Sequence, residues 1–266
     1  MNHGLLARIL YATYLAALFL FLFAPIAVVV VFAFDAKGIA TPPFEGPTLR
    51  WFRAVLADPV LQQAAANSAK IAVITVILCI LIGTPAAFAI ARLNGRGVRA
   101  FALVISMPLM LPTLLVGVTL MAMFSSLGVG LSMWTATVGH VLVTLPFLVF
   151  TLSARITSID PQLAEAAANL GATPAQTFRR ITLPLIGSAL ACAGLLVLGW
   201  SIDEFTVSFF NMGGGSTLPM AIWGQMRGGV SPTVNAISTI MLGLTVFIIL
   251  VVHRLGNIAA LGGKTG

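Results

Sequence analysis

Charge is what this sequence has least of. Fourteen Lys or Arg and seven Asp or Glu make 8% of 266 residues, against 59% hydrophobic. That is too little charge to cover a soluble surface of this size, so a water-soluble domain is excluded and an integral membrane protein is expected. Cysteine is also scarce. Cys79 and Cys192 both fall inside apolar stretches, which points to buried small side chains and assigns them neither disulfide nor metal. His3, His140 and His253 are too scattered for a metal site, and no Gly-x-Ser-x-Gly pattern marks a hydrolase elbow, so no catalytic residue is expected. His140 reads as a packed histidine bonded to a neighbouring helix. There is no internal repeat and no low-complexity tract.

What is present is long apolar runs. Windows of the roughly 20 residues needed to span about 30 Å of hydrocarbon as a helix occur at 12 to 34, 68 to 91, 101 to 124, 134 to 154, 186 to 208 and 235 to 253. Continuous Leu, Val, Ile and Ala runs argue for an all-α bundle of six transmembrane helices rather than a barrel of alternating strands. The first run is longer than a signal-peptide core and reads as a retained anchor, with no separate soluble domain after it. The whole chain, 1 to 266, reads as one transmembrane domain. Pro85, Pro146, Pro108 and Pro112 lie inside the runs, so kinks are expected. Gly83 with Ala87 and Ala189 with Ala193 put small residues one turn apart, which allows close helix packing.

The net charge of +7 does not point to nucleic acid, because the positive residues are spread over short loops. Their placement reports topology. Arg8, Arg92, Arg96, Arg99, Arg155, Arg179, Arg180, Arg254 and Lys264 fall on one side if the spans alternate, with Lys37, Arg50, Arg53, Lys70 and Arg227 on the other. Both termini and the loop of about 155 to 184 are therefore expected in the cytoplasm. The long outer connection, 35 to 67, carries Leu49-Arg50-Trp51-Phe52-Arg53, a mixture suited to the lipid interface. Gly213-Gly214-Gly215 reads as an outer loop that must bend.

Inside the 155 to 184 loop, Asp160-Pro161 supplies an N-cap with proline at the first helical position, and Gly171 ends the run. Thr173 with Gln176 three residues on starts a second helix as a capping box. The reading is helix, glycine turn, helix. In the fifth span, Trp200-Ser201-Ile202-Asp203-Glu204 carries two adjacent carboxylates, each costing about 2.5 to 3.5 kcal/mol at a bilayer centre. Neighbours on a helix point about 100° apart, so one faces a pathway while the other packs. One reading has Asp203 or Glu204 meet a cationic substrate, with Trp200 one turn earlier offering a ring face. The other pairs a carboxylate with Arg227 or with outer-loop backbone. Gly263-Lys264-Thr265 looks like the end of a phosphate-binding loop, but Ile258 holds the earlier glycine position, so ATP hydrolysis by this chain is not expected.

Glu165-Ala166-Ala167, three residues, Gly171, nine residues, then Ile181-Thr182-Leu183-Pro184 resembles the loop signature of permease subunits of bacterial binding-protein-dependent ABC importers. Ser201 to Phe205, Ser208-Phe209-Phe210, Thr217-Leu218-Pro219, Gly229-Val230-Ser231-Pro232 and Asn235-Ala236 resemble the second permease of the spermidine/putrescine branch. The resemblance implies an inner-membrane, multi-pass permease that imports a small cation. Its implied partners are a second homologous permease, an ATPase dimer holding ATP and magnesium, and a periplasmic substrate-binding protein. It implies Glu165, Ala166, Ala167 and Gly171 as coupling residues, with Arg179 and Arg180 as further contacts. One departure stands out. The resemblance implies that many members of the polyamine branch carry an acidic residue after the proline of span three, whereas Thr113 follows Pro112, so another small amine or an amino-acid derivative stays open. A self-sufficient secondary transporter is the competing class, and it leaves the Glu165 loop unexplained.

Overall fold

The computed structural model describes residues 3–38, 42–227 and 231–262, with side chains from residue 7 to residue 254 of those stretches. Gly229-Val230 and Gly263-Lys264-Thr265, singled out above, lie outside the described residues, as do the side chains of His3 and Ile258. Among the described residues the chain is helical, in the order α1 (His3–Ala33), α2 (Arg50–Ala57), α3 (Pro59–Arg92), α4 (Arg96–Met110), α5 (Thr113–Ser126), α6 (Met133–Thr157), α7 (Gln162–Asn169), α8 (Pro174–Thr177), a π-helical turn (Phe178–Thr182), α9 (Leu183–Asp203), α10 (Thr206–Asn211), α11 (Leu218–Arg227) and α12 (Pro232–Gly262).

Five segments are long and apolar enough to cross a bilayer: Ala7–Ala33, Pro59–Arg92, Met133–Thr157, Pro174–Asp203 and Pro232–Arg254. The remaining expected span, 101 to 124, is instead two helices that meet at 105°. Proline explains the sharpness. Pro112 has no N–H to donate, and it drives Leu111 to extended backbone at φ −96° and ψ 138°, so the helix stops rather than kinks. Ile105 of α4 packs against the cluster containing Leu152 and Ile156, while Leu120 of α5 approaches Gly139. The spans number six when the bent pair is taken as one.

The chain forms two compact units, Met1–Gln62 with Ile222–Leu244 and Gln63–Ala221 with Thr245–Gly266. In the first, the connection from α1 to α2 is folded around Asp35. Its Oδ1 accepts the N–H groups of Lys37 (3.2 Å) and Glu45 (2.9 Å), and its carbonyl accepts the Trp51 indole N–H at 2.7 Å. Arg50 lies over the Trp51 ring at 4.2 Å and donates to the Ala36 carbonyl at 2.9 Å. The aromatic and basic segment thus closes its own loop.

In the second unit, α6 is the centre. α6 and α9 bury Val149, Leu152, Ile156 and Ile186 with Ala86 and Ala87 of α3 at one end. Cys79, Leu148, Ala193 and Val197 follow in the middle. Gly83 is needed where α3 crosses α6, since a Cβ there would lie 2.6 Å from Leu148 Cδ2. The small-residue pairs therefore sit at real helix crossings. Cys79 and Cys192 are free thiols; Cys79 Sγ lies 3.4 Å from Thr144 Oγ1 and Cys192 Sγ donates to the Val252 carbonyl at 3.6 Å.

Candidate functional site

Two places carry the residues singled out by sequence, one at each end of α9. At the first, Pro161 has helical dihedrals (φ −58°, ψ −30°) and Asp160 Oδ1 accepts the Gln162 N–H at 2.9 Å, so Asp160 caps α7 as the sequence suggests. Gly171 ends it at φ +83°. Its N–H reaches the Ala168 carbonyl at 2.9 Å and the Ala172 N–H reaches the Ala167 carbonyl at 3.0 Å, the pair of bonds that closes a helix through a left-handed glycine. The Thr173 box is complete: Thr173 N–H donates to Gln176 Oε1 at 2.9 Å, and Gln176 N–H to Thr173 Oγ1 at 3.3 Å.

The second helix differs from expectation. It is not a separate surface helix, because α8 runs through the π turn directly into α9 as one 30-residue segment, Pro174–Asp203. Pro184 gives the reason: without an N–H it cannot bond the Arg180 carbonyl, and a wider turn at Phe178–Thr182 absorbs the mismatch without ending the helix. The loop is therefore continuous with α9.

Glu165, Ala166 and Gly171 are exposed, while Ala167 faces inward at 8% exposure. Two arginines tie the segments on either side of α7. Arg92, at the end of α3, donates to the Ile159 carbonyl at 3.0 Å, and Arg155, at the end of α6, donates to the Leu185 carbonyl at 3.1 Å. Sequence reasoning assigned these two arginines to topology and missed that each ties the loop to a span; the partners are backbone carbonyls, which leave no mark in a sequence. A cavity of about 360 Å³ remains beneath α7, bordered by Phe88, Arg92, Glu165 and Ile181. Arg179 and Arg180 are exposed beside Ala175 and Gln176.

At the other end of α9 the two carboxylates part company. α9 stops at Asp203, and Glu204 is extended (φ −73°, ψ 99°). The continuous helix expected through 208 is thus interrupted. A carboxylate is disfavoured at the C-terminus of one helix but favoured at the N-terminus of the next, and Glu204, 8% exposed, accepts the Val207 N–H of α10 at 3.1 Å. Glu204 accordingly takes backbone as its partner. Asp203 is exposed, and its Oδ2 accepts from Thr245 Oγ1 at 3.4 Å. Neither carboxylate makes an ion pair among the described residues. Trp200, one turn before Asp203 on the same face and 38% exposed, is held edge-on by Phe147 at 6.1 Å.

The short helix α10 is seated between α5 and α6 in a slot made by glycine. A Cβ on Gly139 would collide with Val207 Cγ1, and one on Gly117 would lie 3.1 Å from Phe210 Cδ2. Asn211 Nδ2 donates to the Gly117 carbonyl at 3.0 Å, and Thr135 Oγ1 donates to the Asn211 carbonyl at 2.6 Å. His140, 1% exposed, bonds Ser201 Oγ through Nδ1 at 2.7 Å and Ser208 Oγ through Nε2 at 2.8 Å. It is packed and bonded to neighbouring segments, on both nitrogens rather than one.

Residues 79–258 match a family described as binding-protein-dependent transport system inner membrane component. The chain is 33% identical over 233 residues to the putrescine transport system permease protein PotI of Escherichia coli (strain K12), covering 85% of this chain and 83% of that one. It is 31% identical over 247 residues to the spermidine/putrescine transport system permease protein PotC of the same strain, covering 92% and 93%. A crystal structure of a bacterial ABC transporter involved in the import of the acidic polysaccharide alginate matches with a TM-score of 0.75 at 18% identity, over 96% of this chain and 98% of that one. At that identity the likeness concerns the fold.

Proposed function

Because this chain belongs to the binding-protein-dependent transport system inner membrane components, multi-pass permease subunits of ATP-driven importers, we propose that its own cargo is a small cation of the polyamine class. The observation that carries this is the pairing of Asp203 and Trp200 on one exposed face of α9. A carboxylate with a ring face one turn away suits an ammonium on an alkyl stem. PotI and PotC, whose names state putrescine and spermidine, support the same class. Residues 1 to 266 act as one permease domain with both termini in the cytoplasm, in keeping with the arginine distribution.

The partners we assign are a second homologous permease, a pair of ATPase subunits that hold ATP and magnesium, and a periplasmic binding protein. Glu165, Ala166 and Gly171 form the surface that meets the ATPase, and Ala167, facing inward, seats α7 beneath that surface. Its movement passes through α8 and the π turn into α9, and alternating access follows as a rigid-body change of the spans. A second reading, a singly charged amine, is favoured by Thr113: the first residue of α5 offers a hydroxyl where, by the resemblance, many members of the polyamine branch carry an acid.

ATP hydrolysis by the full complex in liposomes tests the reading, with its binding protein loaded with putrescine, spermidine, a neutral amino acid or nothing. Stimulation by polyamines is the expected result. Stimulation by the neutral ligand alone keeps the importer and discards the cation site.

A further inference from the structure

The segment that carries Asp203 is interrupted at Glu204–Phe205, and helix hydrogen bonds do not hold the two pieces together. What fixes the angle between them must be side chains. On the far side of the break, α10 is bound to α5 and α6 at both ends: Asn211 to the Gly117 carbonyl, Thr135 to the Asn211 carbonyl, and Ser208 to His140. On the near side, α9 runs uninterrupted from the π turn to Asp203. His140 reaches both sides, bonding Ser201 two residues before Asp203 and Ser208 four residues after Glu204. An imidazole with a hydroxyl on each nitrogen is fully satisfied whichever tautomer it holds, and all three residues are buried to 2% exposure or less. In that setting the two bonds are worth most and are least open to exchange with water.

We propose that His140 is a positioning residue for transport: by bridging Ser201 and Ser208 it sets the turn at Glu204–Phe205 and with it the direction in which the Asp203 carboxylate and the Trp200 ring face. It touches no substrate and acts through α9. The inference rests on the reading of Asp203 and Trp200 as the substrate face.

The decisive quantity is substrate imported per ATP hydrolysed by the complete complex in liposomes. A residue that only supports the fold lowers uptake and hydrolysis together and leaves the quotient unchanged. The variant is the triple substitution His140→Leu, Ser201→Ala and Ser208→Ala, which removes donors and acceptors together and leaves no orphaned polar group in the core. The quotient falls about tenfold, the size expected for losing two hydrogen bonds of ordinary strength. His140→Gln with both serines kept retains a donor and an acceptor and restores most of the quotient. A triple variant with the wild-type quotient overturns the proposal.

If no polyamine stimulates the wild-type complex, the substrate reading falls, and the bridge is tested by geometry instead. Spin labels at Ala191→Cys on α9 and Phe209→Cys on α10, with Cys79 and Cys192 replaced, report the angle across the break. In the triple variant their distance distribution shifts or broadens; a distribution identical to that of the labelled parent overturns the proposal whatever the substrate.

Discussion

The two ends of α9 solve the same problem by different means. Each joins a long helix to a short one through a sharp turn. At the Gly171 end the turn is exposed and built from near neighbours: Asp160 with Gln162, Ala167 with Ala172, Thr173 with Gln176. At the Glu204 end it is buried and built from partners 61, 68 and 94 residues apart: His140 with Ser201 and Ser208, Asn211 with Gly117. A turn made of local bonds keeps its shape while its surroundings move, which suits a handle. A turn made of distant bonds changes shape when its surroundings move, which suits a gate.

Substitutions separate these two behaviours. The largest effect is expected from Gly171→Pro, which cannot adopt φ +83° and removes the N–H bonded to Ala168. Uptake is lost and the ATPase no longer co-purifies, while the spans stay folded, because a Cβ at Gly171 meets nothing within 4 Å. Gly171→Asn, which tolerates the left-handed region, keeps most of the activity. At the other end, Gly139→Ala drives a methyl into Val207 and costs about 1–3 kcal/mol of stability. Thermal unfolding of the purified chain measures it, and Val207→Ala added to it recovers part of the loss.

Charge sharpens the contrast further. Asp203→Asn is expected to lower polyamine uptake about tenfold, a loss of roughly 1.4 kcal/mol, with thermal stability unchanged. Glu204→Gln does the reverse, with uptake near normal and stability reduced by about 1 kcal/mol as the charged acceptor of the Val207 N–H is lost. Equal effects from the two would remove the distinction between a substrate face and a helix cap. The smallest effect belongs to Thr173→Ala, which opens one capping box at a cost of about 1 kcal/mol. A modest loss of ATPase affinity, read by titration, is the expected outcome.

This division also explains what was legible in the sequence. Caps, the Gly171 turn and apolar windows depend on residues within a few positions of one another, so Asp160, Thr173 with Gln176 and the spans could be read directly. The family resemblance rests on the same local spacing. The break in span three was foreseen only as a kink, because Pro108 and Pro112 announce a fault but not its angle of 105°. The break after Asp203 carries no proline or glycine, and the groups packed around it, the slot at Gly117 and Gly139 and the bridge at His140, are remote in the chain. Ser201 and Ser208 look like ordinary small residues until His140 is placed between them, and Arg92 and Arg155 look like topology markers until their carbonyl partners appear.

The π turn at Phe178–Thr182 has a consequence of phase. A wide turn accommodates roughly one residue more than an α-helical turn, and one residue is about 100° of rotation. The wide turn takes up that residue, so the azimuth of Trp200 and Asp203 relative to the Glu165 loop is kept as if the helix were unbroken. Deleting one residue between Thr177 and Pro184 would let the turn close as an ordinary α turn with the two ends still in step, and would set the Pro184 ring against the carbonyl one turn back, the clash that the wide turn avoids.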